Sequence, residues 1–95
     1  MDNKIVRGWI VRILSRCYPL GMETLSLQKQ LYNLGYKVLK KELKAQLAYL
    51  QEDGFIEKIS YGDEFRDELV NKTYKLTTKG IDLTEGTIED SGVSI

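Results

Sequence analysis

At 95 residues the chain is long enough for one hydrophobic core, and 42% apolar with 29% charged residues is ordinary for a globular domain. Histidine is absent, which removes the commonest general base and the commonest metal ligand together, and the single Cys17 cannot form an internal disulfide. A lone cysteine and an N-terminus, Met1-Asp2-Asn3-Lys4, without the basic-then-apolar form of a signal peptide predict a cytoplasmic protein. No apolar run approaches the roughly 20 residues of a membrane span, so no membrane partner is expected. The formal net charge is zero, yet the halves differ. Residues 1–50 carry nine Lys and Arg against three acids, and residues 51–95 carry five against eleven. Such asymmetry predicts a dipolar molecule with a basic face.

From Lys4 to Cys17, the residues Val6, Ile10, Ile13, Leu14 and Cys17 recur at three- and four-residue spacing with Trp9 beside them. This is the stripe of an amphipathic helix, with Arg7, Arg12 and Arg16 on the rest of its surface and Cys17 expected as buried filler. Pro19 and Gly21 stop it. A second helix is expected from Glu23 or Thr24, with Thr24 as cap, Leu27, Leu31 and Leu34 as apolar face, and Gly35 as a left-handed stop. The short interval before the next helical pattern reads as the turn of a helix-turn-helix. The third helix spans about Leu39 to Asp53, its seam formed by Leu43, Leu47 and Leu50. Lys41, Lys44, Ala45, Ala48 and Glu52 then point away from that seam, and Gly54 ends the helix.

Phe55 to Tyr61 alternates as a strand does. Gly62-Asp63 opens a hairpin and Thr73 to Leu76 returns. The long acidic stretch between them is the loop, where Phe65 and Leu69 are spaced for a helical turn. Ile81 and Leu83 are expected as a last anchor on the core. The folded unit therefore covers residues 1–83, and residues 84–95 are expected to be an extended or partly disordered acidic tail.

Little here supports catalysis. Acid–base work needs a pocket, and the acidic pairs Glu52-Asp53, Asp63-Glu64, Asp67-Glu68 and Glu89-Asp90 fall at a helix end, in a loop and in the tail, where solvation is expected. No G-x-S-x-G, Walker loop or C-x-x-C occurs, so an enzyme is not expected and neither is a cofactor or metal. Lys37, Lys40, Lys41 and Lys44, by contrast, cluster about the start of the third helix, where positive charge would meet phosphates and the small Ala45 and Ala48 would permit close approach. Lys29, Arg7, Arg12 and Arg16 could add backbone contacts. Base-reading side chains are scarce, with only Gln46 and Gln51 in that helix. The hairpin loop sets Asp63, Glu64, Asp67 and Glu68 against Arg66 and Lys72, a poor match to the negative potential of a minor groove.

Two segments carry a resemblance. Leu47-Ala48-Tyr49-Leu50-Gln51-Glu52-Asp53-Gly54-Phe55-Ile56 and Tyr74-Lys75-Leu76-Thr77-Thr78-Lys79-Gly80 resemble the winged helix-turn-helix domains of ArsR-, MarR- and PadR-type bacterial regulators, over residues 4 to about 83. The resemblance implies an α+β fold, a three-helix core plus a β-hairpin wing, whose third helix enters the major groove of double-stranded DNA. Transferred residue by residue, the DNA contacts would be Lys37, Lys40, Lys41, Lys44, Ala45 and Ala48, with Arg66 and Lys72 from the wing. The chain departs from the family in lacking the cysteine pairs of metal-sensing ArsR proteins and the long C-terminal helix through which PadR proteins dimerise. A homodimer, if formed, would use the first helix or the tail. More narrowly, the run Ile81-Asp82-Leu83-Thr84-Glu85-Gly86-Thr87-Ile88-Glu89-Asp90 with Gly92-Val93 is similar to small proteins of Mu-like bacteriophages and prophages. Two readings follow. One is a small phage or prophage transcriptional regulator; the other is an interaction module with little or no DNA binding, docking a protein partner through its acidic wing or tail.

Overall fold

The first helix, α1 (Asn3–Cys17), starts where the Asp2 carboxylate accepts the backbone N–H groups of Lys4 and Ile5. The computed structural model describes residues 2–59 and 72–95. The remaining elements are β1 (Gly21–Glu23), α2 (Thr24–Asn33), α3 (Lys40–Glu52), β2 (Ile56–Ile59), β3 (Thr73–Leu76) and α4 (Thr78–Thr84). α1 lies at the centre, in contact with α2, α3, α4, β1 and β3. That position buries Val11 as well as Val6, Ile10, Ile13 and Leu14, so the apolar face is wider than the sequence stripe. Cys17, at the end of the helix, is only half-buried.

Beyond the cis Tyr18–Pro19 bond the sequence predicted only a stop. The structure instead places β1 there, antiparallel to β3 with Gly21 opposite Lys75 and Met22 opposite Tyr74. The sheet therefore has three strands in the order β1-β3-β2. A three-residue strand has no periodicity to read, and its existence depends on a partner some fifty residues away in the chain. β2 and β3 form the expected hairpin, pairing Ile56 with Leu76 and Lys58 with Tyr74. The hairpin tip, including Gly62-Asp63, the Phe65–Leu69 turn, Arg66 and the acids Asp63, Glu64, Asp67 and Glu68, lies outside the described residues.

Two details of α2 correct the sequence reading. Thr24 is the first helical residue and does not cap; its hydroxyl and its N–H both donate to the Lys72 carbonyl, at 2.8 and 2.9 Å, tying α2 to the entry of β3. Leu34 is 42% exposed because it sits in the turn that leaves the helix. α2 and α3 end alike. Gly35 and Gly54 adopt φ of 95° and 81°, which a side chain would strain, and the next residue returns its N–H to the helix (Tyr36 to Leu31, Phe55 to Leu50).

The C-terminal region differs most from expectation. Ile81 and Leu83 belong to a helix, α4, with Leu83 buried and Ile81 partly so. After Thr84 the chain has no regular secondary structure, but it is not a loose tail. Val93 is buried in the core, the Ser94 N–H donates to the Lys4 carbonyl at 3.0 Å, and Arg7 donates to the Gly92 carbonyl at 3.1 Å. Composition hid this because the segment is held by only two apolar side chains, Val93 and the partly buried Ile88, together with hydrogen bonds to distant residues of α1. Among the described residues no helix is long and apolar enough to cross a membrane.

Candidate nucleic-acid interface

The orientation of α3 is set at both ends. At its C-terminus, the T-x-K-G part of the sequence motif forms a latch. Thr77 caps α4 by accepting the Gly80 N–H at 3.1 Å, and its hydroxyl donates to the Gly54 carbonyl at 2.6 Å. Lys79 donates to the Asp53 carbonyl at 2.7 Å, where a cation meets the negative end of the α3 dipole, and lies 4.9 Å from the centre of the Phe55 ring. A side chain at Gly80 would run into the Phe55 carbonyl. At the other end, the Leu39 N–H donates to the Glu42 carboxylate at 3.2 Å. This is half of a capping box, since leucine has no acceptor to return.

Between these ends Leu43, Gln46, Leu47 and Leu50 face the core. Lys40, Lys41, Lys44, Ala45 and Ala48 are exposed, as are Lys37 in the preceding turn and Lys29 on α2. The structure brings Lys29 and Lys37 to one cleft and leaves Lys40, Lys41 and Lys44 exposed on α3. None of these five lysines has an ion pair among the described residues. Lys40 and Lys41 stand in the first turn of α3, where the unpaired N–H groups already concentrate positive potential. Their placement opposes helix stability and attracts an anion.

Other sequence candidates fall elsewhere. Gln46 is 6% exposed, and its carbonyl oxygen accepts from Arg7 Nε at 2.7 Å, so it is unavailable to a base edge. Arg7 is occupied as well, with its guanidinium 3.6 Å from the centre of the Tyr49 ring. Arg12 lies over Trp9, and Arg16 is exposed at the end of α1. Lys72 is exposed beside the start of α2, its backbone carbonyl taken by Thr24. Arg66 lies outside the described residues. Among the described residues no group of acidic, cysteine or histidine side chains is arranged to hold a metal ion.

A cleft of about 380 Å³ adjoins the lysines, between α2 and the turn into α3. Tyr32 (66% exposed) and Leu39 (59% exposed) line it above the buried Val38. The sequence reading gave Tyr32 and Leu39 no role. The available signal was a leucine at the position where Ser, Thr or Asp would stabilise the helix start.

No family model and no curated protein matches the sequence. Among solved structures, the chain is similar to the reduced form of the transcriptional regulator YodB from B. subtilis. The TM-score is 0.65 over 85% of this chain and 69% of that one, at 18% identity. The fold is a winged helix-turn-helix. At so low an identity the likeness establishes the architecture, with α2 and α3 as the helix-turn-helix and β2 and β3 as the arms of the wing.

Proposed function

We propose that the protein is a small DNA-binding regulator whose third helix, α3, lies with its N-terminal half in the major groove of duplex DNA. The observation that carries the reading is the set of exposed lysines, Lys29, Lys37, Lys40, Lys41 and Lys44, left without ion pairs among the described residues. Two of them are set against their own helix dipole, a cost that a phosphate at the same place would relieve. α3 has 13 residues and is about 20 Å long, and a major groove about 12 Å wide admits it. Ala45 and Ala48 keep the exposed surface low enough for close approach.

With Gln46 turned inward, Gln51 is the remaining base-reading amide of α3. Attraction to the phosphate backbone therefore dominates, and sequence discrimination is weak unless the wing supplies it. In this reading the wing contacts fall to the exposed Lys72 and to Arg66, which lies outside the described residues. The narrower resemblance to phage and prophage proteins suggests a genetic context and adds no activity.

The test is fluorescence anisotropy of a labelled random duplex with the purified protein at about 50 and 200 mM salt. Neutralising about four phosphates gives a slope of log affinity against log salt near −3.6. The double change Lys41→Glu with Lys44→Glu should abolish this binding without altering the circular dichroism spectrum. Binding that survives the double change removes α3 from the interface. Absence of binding at low salt would instead favour a protein-docking role.

A further inference from the structure

We propose that copies of this chain associate through two unlike surfaces, the lysine-bearing face beside α2 of one copy docking on an acidic cleft of another. That cleft, about 440 Å³, lies between α4 and the C-terminal segment. Leu83, Ile88 and Val93 give it an apolar wall, and its charged lining is Glu85, Glu89 and Asp90, with no Lys or Arg among the described residues. The Asp90 carboxylate is engaged, accepting the Gly92 N–H at 2.8 Å. Glu85 and Glu89 are exposed and have no ion pair among the described residues.

The same chain carries the complement. Lys29 and Lys37 border the exposed Tyr32 and Leu39 between α2 and the turn into α3. Leu39 stands at the N-cap of α3, where a small polar residue would serve the helix better, so the fold itself gains nothing from an exposed leucine there. Each surface therefore joins apolar area to charge, and the two charges have opposite sign. Inside one chain they do not meet, since no ion pair links Lys29 or Lys37 to Glu85 or Glu89 among the described residues.

Charge selects the occupant. A basic partner would fill the cleft and leave the lysines bare, and an acidic partner would do the reverse. A second copy is matched to both. A formal net charge of zero also removes the mutual repulsion that keeps charged proteins apart. Exposed ion pairs are individually weak, so the contact belongs to high protein concentration and low salt. Lys29 and Lys37 are also offered to DNA in the reading above, but the contact between copies needs no duplex and is tested in its absence.

The experiment is sedimentation equilibrium of the purified protein, freed of nucleic acid. At about 0.5 mM protein and about 20 mM salt the weight-average mass should rise at least about 1.5-fold above the 10.9 kDa monomer, and it should return to the monomer in about 500 mM salt. Lys29→Gln with Lys37→Gln, and separately Glu85→Gln with Glu89→Gln, should each stay monomeric at low salt with an unchanged circular dichroism spectrum. Mixed in equal amounts, the two variants should form one-to-one pairs and nothing larger, because each keeps the surface that the other lacks. A contact between like surfaces cannot be complemented in this way. A native chain that stays monomeric at low salt overturns the proposal and leaves the cleft to a basic partner of another kind. So does association that survives the glutamate changes, which would mark lysine faces bridged by an anion, or a mixture that stays monomeric. The duplex titration is decided separately: a chain that binds no DNA can still associate, and a chain that binds DNA can fail to.

Discussion

Tyr74 shows how one side chain couples the sheet to pH. It is 8% exposed in the central strand β3, and burial pushes its phenol above the ordinary value while Lys58, its direct cross-strand partner, pulls the other way. The unfolded chain ionises this tyrosine near pH 10, and the folded chain holds the proton to higher pH. Below that point the two states bind equal numbers of protons and the contribution to stability is complete. Above it the folded state binds more, so stability falls as pH rises, by at most about 1.4 kcal/mol per pH unit, until the folded group ionises too. Urea midpoints between about pH 8 and 11 should therefore decline more steeply for the native chain than for Tyr74→Phe. Parallel profiles would mean that another group governs alkaline unfolding. Gln46 makes a related point about reading single residues. As an amide in α3 it reads from sequence as a base reader, yet its partner is Arg7, on another helix and 39 positions away. The sequence holds no local sign of that pairing.

At the scale of elements, what was legible follows from range. α1, α2 and α3 announced themselves because a helix writes its period into neighbouring residues, and Gly35 and Gly54 marked the ends by a local backbone requirement. The motif that carried the family resemblance is equally local in sequence, and the structure explains it. Thr77, Lys79 and Gly80 all act on the C-terminus of α3, so the pattern records how a helix is latched and says nothing direct about DNA. β1 and the C-terminal segment were not legible, since each is defined by partners far along the chain. The lysine surface was read at the level of which helix carries it; the cleft beside it was not, because it depends on how α2 meets the turn. The C-terminal segment also gives a prediction. Arg7 joins it to α3 through Gln46, the Tyr49 ring and the Gly92 carbonyl. Arg7→Ala should cost about 1–3 kcal/mol, because acceptors on two buried residues, Gln46 and Gly92, lose their donor. Hydrogen exchange should show the loss as local, with the Val93 and Ser94 amides released first and the Leu31 amide still protected. Release of all three together would mean that the segment is part of the cooperative core.

Over the whole molecule, zero net charge conceals two opposed halves, and stability and binding make conflicting demands on the basic one. Lys40 and Lys41 repel the α3 dipole and their lysine neighbours; Glu42 in the same turn offsets part of this, but neither lysine has an ion pair among the described residues. Changing both to glutamine should therefore stabilise the free protein by roughly 0.5–1.5 kcal/mol at low ionic strength. The same change should weaken duplex binding, because those charges are the ones proposed to meet phosphate. Salt separates this account from a simple gain in helix propensity. Screening lengths shrink from about 30 Å at 0.01 M to 3 Å at 1 M, so an electrostatic advantage must close as salt is added, whereas a propensity effect would persist. Thermal midpoints of the native chain and of the double variant, followed over that range, should converge at high salt while the duplex affinities differ most at low salt. A gap that stays constant would show that the lysines are ordinary solvated side chains. Convergence with lost binding would mean that the fold keeps an unfavourable charge arrangement at the start of α3 because the bound state relieves it.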